Sequence, residues 1–177
     1  GVAGGATAAA RLRRLSEEVE IILVERGEHI SFANCGLPYF IGETIQDRSK
    51  LLVHTVKGMS ERFNLDIRNL SEVVSIEPES KKVMIKNLQN GEVYEESYDK
   101  LLLSPGARPI VPPIPGLNET KSLFTLRNIP DTDKIKSYVD AKFPKKAVVI
   151  GGGFIGIEMA ENLVDRGIDV TIIEMAN

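Results

Sequence analysis

The stretch Lys146-Ala147-Val148-Val149-Ile150-Gly151-Gly152-Gly153-Phe154-Ile155-Gly156 decides the fold of this 177-residue chain. A short apolar strand runs into a complete G-x-G-x-x-G at Gly151, Gly153 and Gly156. Residues 157–166 follow with helical character, Gly167 stops them, and residues 169–174 read as a second buried strand that closes on Glu174. Strand, glycine turn, helix, strand and terminal acid is the order of a dinucleotide-binding unit. The glycines permit a tight turn and close approach of a pyrophosphate, and the helix N-terminus faces its charge. Glu174 falls close to the roughly 20 residues at which such a unit places its ribose-binding acid. A carboxylate there repels a 2′-phosphate, so NADH is favoured over NADPH.

A partial copy of the same unit lies at the other end. Gly1-Val2-Ala3-Gly4-Gly5 reads as a tight turn opening a helix through Ala6-Thr7-Ala8-Ala9-Ala10, whose small side chains allow close packing on a sheet or a ligand. Residues 20–25 are an apolar run ending in Glu25, as in a buried parallel strand. Gly5 fits the last glycine of the motif and Val2 stands where the middle one belongs. This copy alone is matched as well by an ordinary βαβ helix packing on its sheet.

Between the copies the pattern changes. Thr55 reads as the cap of a short helix through residues 59–63. Residues 73–76, 82–86 and 92–94 read as half-buried strands, with Pro78 between the first two and a tight turn at Asn90-Gly91. Leu101-Leu102-Leu103 reads as a further buried strand before Ser104-Pro105-Gly106. Prolines 109, 112, 113 and 115 form a stiff connection. Asn128 reads as the cap of a helix with Pro130 in its first turn, running to about Ala141. The expected organisation is residues 1–112 as one nucleotide-binding domain, 113–144 as connection and helix, and 145–177 as the start of a second. Both ends are expected to be cut from a longer protein.

Composition narrows the class. A 42% hydrophobic fraction supports a real core, and 27% charge with a net −3 points away from nucleic acid. No apolar run approaches a membrane span, and no signal peptide is visible. One cysteine makes no internal disulfide, so a cytoplasmic, reducing location is expected. His29 and His54 read as surface residues without metal-ligand spacing. Arg11, Arg13 and Arg14 read, by position alone, as a solvated helix face. Tyr39 and Phe40 read as core.

The cysteine lies in Ser31-Phe32-Ala33-Asn34-Cys35-Gly36-Leu37-Pro38-Tyr39. Read alone, Cys35 is either a small buried hydrophobe or a reactive thiol. Two dinucleotide motifs with a cysteine soon after the first resemble the FAD-dependent pyridine nucleotide-disulfide oxidoreductases, along the whole chain. Phe40 stands where two-cysteine members place the second thiol. The Ser-Phe-Ala-Asn-Cys-Gly-Leu-Pro-Tyr segment is similar to single-cysteine coenzyme A disulfide reductases and CoA-dependent persulfide reductases, as is residues 124–133.

The resemblance implies an α/β fold of the FAD/NAD(P)-binding Rossmann-like type, with doubly wound parallel sheets and an antiparallel meander. It implies FAD at Gly1, Val2, Ala3, Gly4, Gly5, Glu25 and Arg26, with Ser104, Pro105 and Gly106 as a second turn near the flavin. It implies NADH at Gly151, Gly153, Phe154, Ile155, Gly156 and Glu174. Electrons are then expected to pass from NADH to FAD to Cys35, the catalytic thiol, which cycles through a mixed disulfide with coenzyme A. A short helix beginning near Cys35 would favour the thiolate. Thr7, Arg11, Arg14, Ser31 and Asn34 match positions that contact coenzyme A, although Asn34 is equally suited to capping that helix. A homodimer is implied for the whole protein. An NADH oxidase or peroxidase cycling Cys35 through a sulfenate, and a non-catalytic nucleotide-binding fragment, remain alternative readings.

Overall fold

The computed structural model describes residues 1–175, and the last two residues of the expected third segment, 176 and 177, lie outside it. The chain forms two compact units. One comprises Gly1–Phe32 and Leu52–Gly106, the other Ala33–Leu51 together with the chain from Ala107 onward.

The first unit opens with helix α1 (Gly4–Leu15), followed by strand β1 (Ile22–Val24). α1 buries Ala6 and Ala9 against Leu23, Ile30, Met59 and Leu65. Alanine at both positions lets the helix axis approach the strand closely. Helix α3 (Val56–Phe63) completes this core and is capped as its sequence predicts, Thr55 Oγ1 accepting from the Gly58 N–H at 3.0 Å. It ends at Asn64, which takes the left-handed conformation (φ 46°). Strand β2 (Asp66–Arg68) pairs in parallel with β1. Strands β3 (Ser71–Glu77), β4 (Lys82–Asn87) and β5 (Val93–Ser97) form the antiparallel meander, with a bulge between Val73 and Ser75. β4 buries Val83 and Ile85 in alternation, β5 alternates between half-buried and exposed, and β3 is exposed beyond Glu72.

The second unit contains a 3₁₀ turn at Asn34–Gly36, helix α2 (Leu37–Ile41) and helix α4 (Ile129–Lys142). Asn128 Oδ1 caps α4 by accepting from the Asp131 N–H at 3.0 Å. Strand β6 (Lys146–Ile150), helix α5 (Phe154–Asp165) and strand β7 (Asp169–Ile173) form a parallel βαβ unit in register from Lys146–Asp169 to Ile150–Ile173. Ile41, Ile135, Val139, Met159, Leu163 and Ile168 form its core, so α2 is seated between α4 and α5.

Three expectations fail. Leu101, Leu102 and Leu103 form no strand and are exposed, Leu103 by 67%. An apolar run becomes a strand only where its backbone finds a ladder partner, and none lies among the described residues. Asn34 does not cap a helix: the N-cap residues are Ala33 for the 3₁₀ turn and Gly36 for α2. Arg13 is not solvated but 7% exposed. All five of its N–H groups are used: Nε donates to the Phe63 carbonyl, Nη1 to Ser16 and Glu17, and Nη2 to Val19 and Asn64, at 2.7–3.1 Å. Its charge is met by carbonyls at the C-terminal ends of α1 and α3, where the helix dipoles are negative. Among the described residues no helix is long and apolar enough to cross a membrane.

Candidate functional site

The N-terminal turn is shaped by crowding. A Cβ on Gly1 would stand 2.8 Å from Glu25 Oε2 and 3.1 Å from the Ile30 carbonyl oxygen, so only a glycine fits without displacement. Val2 takes φ 54°, an uncommon value for a β-branched residue, and its N–H donates to the Ile30 carbonyl at 2.6 Å. Glu25, at the end of β1, is held by its own turn: its Oε1 accepts from the Gly27 N–H at 2.7 Å. Arg26 points to Glu72, 3.3 Å away on β3, and both side chains are exposed. Ser104 reaches the first turn of α1, where a Cβ on Gly4 would stand 3.0 Å from its Oγ. Segments from residues 1–5, 25–30 and 104 thus converge on one helix N-terminus, which carries no acidic residue in its first turn.

Beside that turn lies an open cleft of about 230 Å³, lined by Val2, Ala6, Thr7, Ala10, Arg14, Ser31, His54, Met59 and Phe63. It gathers Thr7, Arg14 and Ser31, three of the five residues expected to contact coenzyme A. Arg11 does not line it. Arg14 Cζ lies 5.9 Å from the Phe63 ring centroid and Arg62 Cζ 5.4 Å, so two guanidinium groups share one aromatic ring. His54 meets Phe63 edge-on, with centroids 6.5 Å apart. His54, expected at the surface, is half-buried and lines the cleft. Its position follows from the chain pairing after Ser31: Phe32 bridges to Leu52, and the Val53 N–H donates to the Ser31 carbonyl at 3.1 Å. Only residue pairs spaced by such pairing would have found it.

Asn34 and Cys35 belong to the second unit, in the 3₁₀ turn that precedes α2, and both are exposed. Their neighbours are not: Gly36, Leu37 and Pro38 are buried. A Cβ on Gly36 would stand 3.0 Å from Leu51 Cδ2 and 3.3 Å from Ile45 Cδ1, and the Ala33 N–H donates to the Leu51 carbonyl at 2.8 Å. Cys35 is therefore an accessible thiol on a packed base. Phe40 is buried, as expected for core.

The second glycine turn lies in the same unit. Gly151 takes φ 108°, which excludes other residues, and its N–H donates to the Ile173 carbonyl at 2.8 Å. Gly153 is the N-cap of α5, and a Cβ on Gly156 would overlap the Gly151 carbonyl oxygen. Glu174 Oε2 accepts from the Gly152 N–H at 2.6 Å, and Oε1 from the Met175 N–H at 2.7 Å. The acid is thus fixed against the turn. Phe154 and Ile155, the first residues of α5, are exposed. Among the described residues no group of three or more His, Cys, Asp or Glu side chains is placed to hold a metal ion.

Comparison with known proteins identifies the family. Residues 1–177 match the family model described as pyridine nucleotide-disulphide oxidoreductase. The chain is 43% identical over 176 residues to the coenzyme A disulfide reductase of Staphylococcus haemolyticus, covering 97% of this chain and 38% of that protein. It superposes on reduced Bacillus anthracis CoADR-RHD with a TM-score of 0.98 and 69% identity, covering 100% of this chain and 32% of that one. A NAD-dependent persulfide reductase from A. fulgidus gives a TM-score of 0.93 at 36% identity, with coverage of 100% and 32%. The chain thus spans between about a third and two-fifths of the length of these relatives. With paired dinucleotide units, an α/β architecture and a match along its whole length, this chain belongs to the pyridine nucleotide-disulphide oxidoreductase family.

Proposed function

We propose that this chain is the cofactor-binding and thiol-bearing part of an FAD-dependent NADH:disulfide oxidoreductase that reduces coenzyme A disulfide or CoA persulfide through Cys35. The observation that carries the reading is the cleft in the first unit. It draws Thr7, Arg14 and Ser31 from separate places in the chain to one surface, next to an aromatic ring flanked by cations. Such a surface suits a ligand with anionic phosphates and an aromatic base. Arg14 forms no ion pair among the described residues, so its guanidinium is available to a phosphate. Ser31, which lines the cleft, precedes Asn34 and Cys35 by three and four residues along the chain.

The first turn fits FAD on its own geometry: a backbone-only bend at Gly1, a fixed carboxylate at Glu25, and a helix N-terminus with no acid in its first turn. Gly1, Val2, Ala3, Gly4, Gly5, Glu25, Arg26, Ser104, Pro105 and Gly106 would hold it. Bound FAD would supply the two-electron relay between nicotinamide and sulfur. Gly151, Gly153, Phe154, Ile155, Gly156 and Glu174 would hold NADH, and the fixed Glu174 carboxylate disfavours the 2′-phosphate of NADPH. Cys35 as thiolate attacks one sulfur of the substrate disulfide, breaking its S–S bond to form a mixed disulfide and expelling one coenzyme A as thiolate, which takes a proton from solvent. The two electrons and the proton of the NADH hydride then release the second coenzyme A as thiol and restore the Cys35 thiolate. The balance is one NADH and one proton for two thiols. The same family resemblance carries the expectation of a homodimer for the whole protein, which sedimentation tests.

The deciding assay is NADH oxidation by the full-length protein. Turnover with coenzyme A disulfide or CoA persulfide, abolished by Cys35→Ser with flavin still bound, is expected. Fast turnover with oxygen or peroxide and none with the CoA substrates would overturn the reading in favour of an oxidase or peroxidase.

A further inference from the structure

The segment that follows Cys35 is gripped at its far end by more contacts than its packing requires. Residues 40–43 close helix α2, and three side chains from α4 and the α5 region meet them. Arg166 Nη1 donates to the Ile41 carbonyl at 2.9 Å and lies 3.5 Å from Glu43 Oε1. Lys136 Nζ lies 3.1 Å from the same Glu43 oxygen and 5.4 Å from the Phe40 ring centroid. Asp140 ties the two cations together, accepting from Arg166 Nη2 at 2.7 Å and lying 3.1 Å from Lys136 Nζ. Glu43 itself takes φ 68°, a strained value for a residue with a Cβ.

The third contact is the unusual one. Asn162, on α5, is 1% exposed; its Nδ2 donates to the Glu158 carbonyl at 2.8 Å, and its Oδ1 has no hydrogen-bond partner. That oxygen faces Gly42. A Cβ on Gly42 would overlap Asn162 Oδ1 and stand 2.8 Å from its Cβ and Cγ. Gly42 has φ −74°, open to any residue, so glycine is needed there for space and not for conformation. A buried amide oxygen left unpaired is destabilising, and a leucine of similar volume would avoid that cost. The polar side chain is retained against its own energetics, pressed on the one residue that leaves room for it.

We infer that Asn162, Arg166 and Lys136 are positioning residues for Cys35, acting through the tail of α2. The inference rests on Cys35 being the redox thiol proposed above. Helix α2 is one rigid turn and a half, entered directly from the 3₁₀ turn that carries Cys35. Holding its tail at Ile41, Gly42 and Glu43, with Gly36 wedged against Leu51 and Ile45 at its head, fixes the direction in which the thiol is offered. Asn162 and Arg166 sit at the C-terminal end of α5, the helix whose N-terminal end is the Gly151–Gly156 turn, and Lys136 comes from α4. The rate at which a thiol reacts follows its exposure and ionisation, both set by its placement; attack on a bound disulfide is more sensitive still, a displacement of about 1 Å costing up to about a hundredfold.

The test uses the full-length protein with its cofactor. Two rates are measured: alkylation of Cys35 by iodoacetamide after reduction, and flavin reduction by NADH. Gly42→Ala should slow alkylation about tenfold while leaving flavin reduction unchanged. The double variant Gly42→Ala/Asn162→Ala, which makes room for the added methyl, should recover most of the rate. Alkylation at the wild-type rate in folded Gly42→Ala, equal slowing of both steps, or a double variant no faster than the single would each overturn the inference. If Gly42→Ala does not fold, Arg166→Met decides: it adds no volume and removes the bond to Ile41, and a wild-type alkylation rate would again overturn it. Alkylation needs no coenzyme A, so failure of CoA-disulfide turnover would sink the proposed function while this result stands or falls separately.

Discussion

The two glycine turns do the same job under different constraints. At Gly151–Gly156 the requirement is local. Gly151 needs a positive φ of 108°, and Gly156 must let α5 start against the Gly151 carbonyl. Both demands arise within six residues and would exist in any chain that made this turn. At Gly1–Gly5 the requirement is imposed from elsewhere: Gly1 is pressed by Glu25 and Ile30, and Gly4 by Ser104, a hundred residues along. Val2 occupies the position of the middle glycine and carries the positive φ itself. A motif scan therefore finds the second turn intact and meets Val2 in place of a glycine in the first. The contacts that crowd Gly1 and Gly4 come from distant residues, which no local pattern records.

That contrast is broken most directly at Gly156. An added methyl meets the Gly151 carbonyl, which belongs to the turn and has nowhere to go. Gly156→Ala should therefore cost about 3 kcal/mol in folding of the second unit and lower NADH affinity by about a hundredfold. Calorimetry and an NADH titration of the full-length protein check both. A variant with unchanged affinity would mean that the turn can relax, and that local geometry does not set it.

The next largest effect lies at the far end of the first turn's helix. Arg13 donates all five N–H groups to carbonyls that gather at the ends of α1 and α3 and lose this partner when the guanidinium is removed. Arg13→Met fills similar space but strands those acceptors, and should destabilise the first unit by about 2–4 kcal/mol. Arg13→Lys should recover only part of this, because one ammonium cannot reach carbonyls at the ends of two helices. Urea unfolding of the two variants measures the difference. Equal stability for all three proteins would show that water replaces the guanidinium.

Much of the fold was legible in the sequence, because its signals are short-range. The caps at Thr55 and Asn128, the helix stop at Gly167 and the acids at Glu25 and Glu174 each act within a few residues of the element they define. Arg13 was misread because the partners that bury it, Phe63 and Asn64, lie about fifty residues away, and three arginines in four residues look like a wet face. His54 and Phe63 were missed as cleft residues for the same reason. Leu101, Leu102 and Leu103 show the opposite error: a strong local β signal with no ladder partner among the described residues. In the candidate site, the sequence carried the residue types and their order, and folding supplied which of them share a surface.

A smaller effect sharpens the account of the first turn. A Cβ on Gly4 would meet only Ser104 Oγ, at 3.0 Å, and a serine hydroxyl can rotate away. Gly4 is the first residue of α1, where alanine is favoured over glycine by less than the about 1 kcal/mol of a helix interior. The two terms nearly cancel, so Gly4→Ala should leave stability within about 0.5 kcal/mol of wild type. Flavin affinity is the more sensitive readout, and Gly4→Ala/Ser104→Ala should restore whatever the single variant loses. If Gly4→Ala matched Gly156→Ala in severity, the distinction between imposed and local constraint would be lost.

The smallest effect separates the units by pH. In the second unit, burial raises the Asp140 carboxyl, but the hydrogen bonds from Arg166 and Lys136 outweigh it, and the group titrates below the ordinary carboxylate range. A carboxyl whose folded value is depressed contributes stability that is fully present above its unfolded value, near 4. That contribution is lost as pH falls through the folded value. Asp140 is partly exposed, so its share is modest and screened by salt. Asp140→Asn should therefore lower the melting temperature of the second unit slightly at pH 7, and the gap to wild type should close on acidification below about pH 4. The first unit's core contains no part of this cluster, so its urea midpoint should not move. A gap that persisted unchanged at low pH would mean that Asp140 acts by packing, and that the charge it shares with Arg166 and Lys136 contributes nothing to holding the tail of α2.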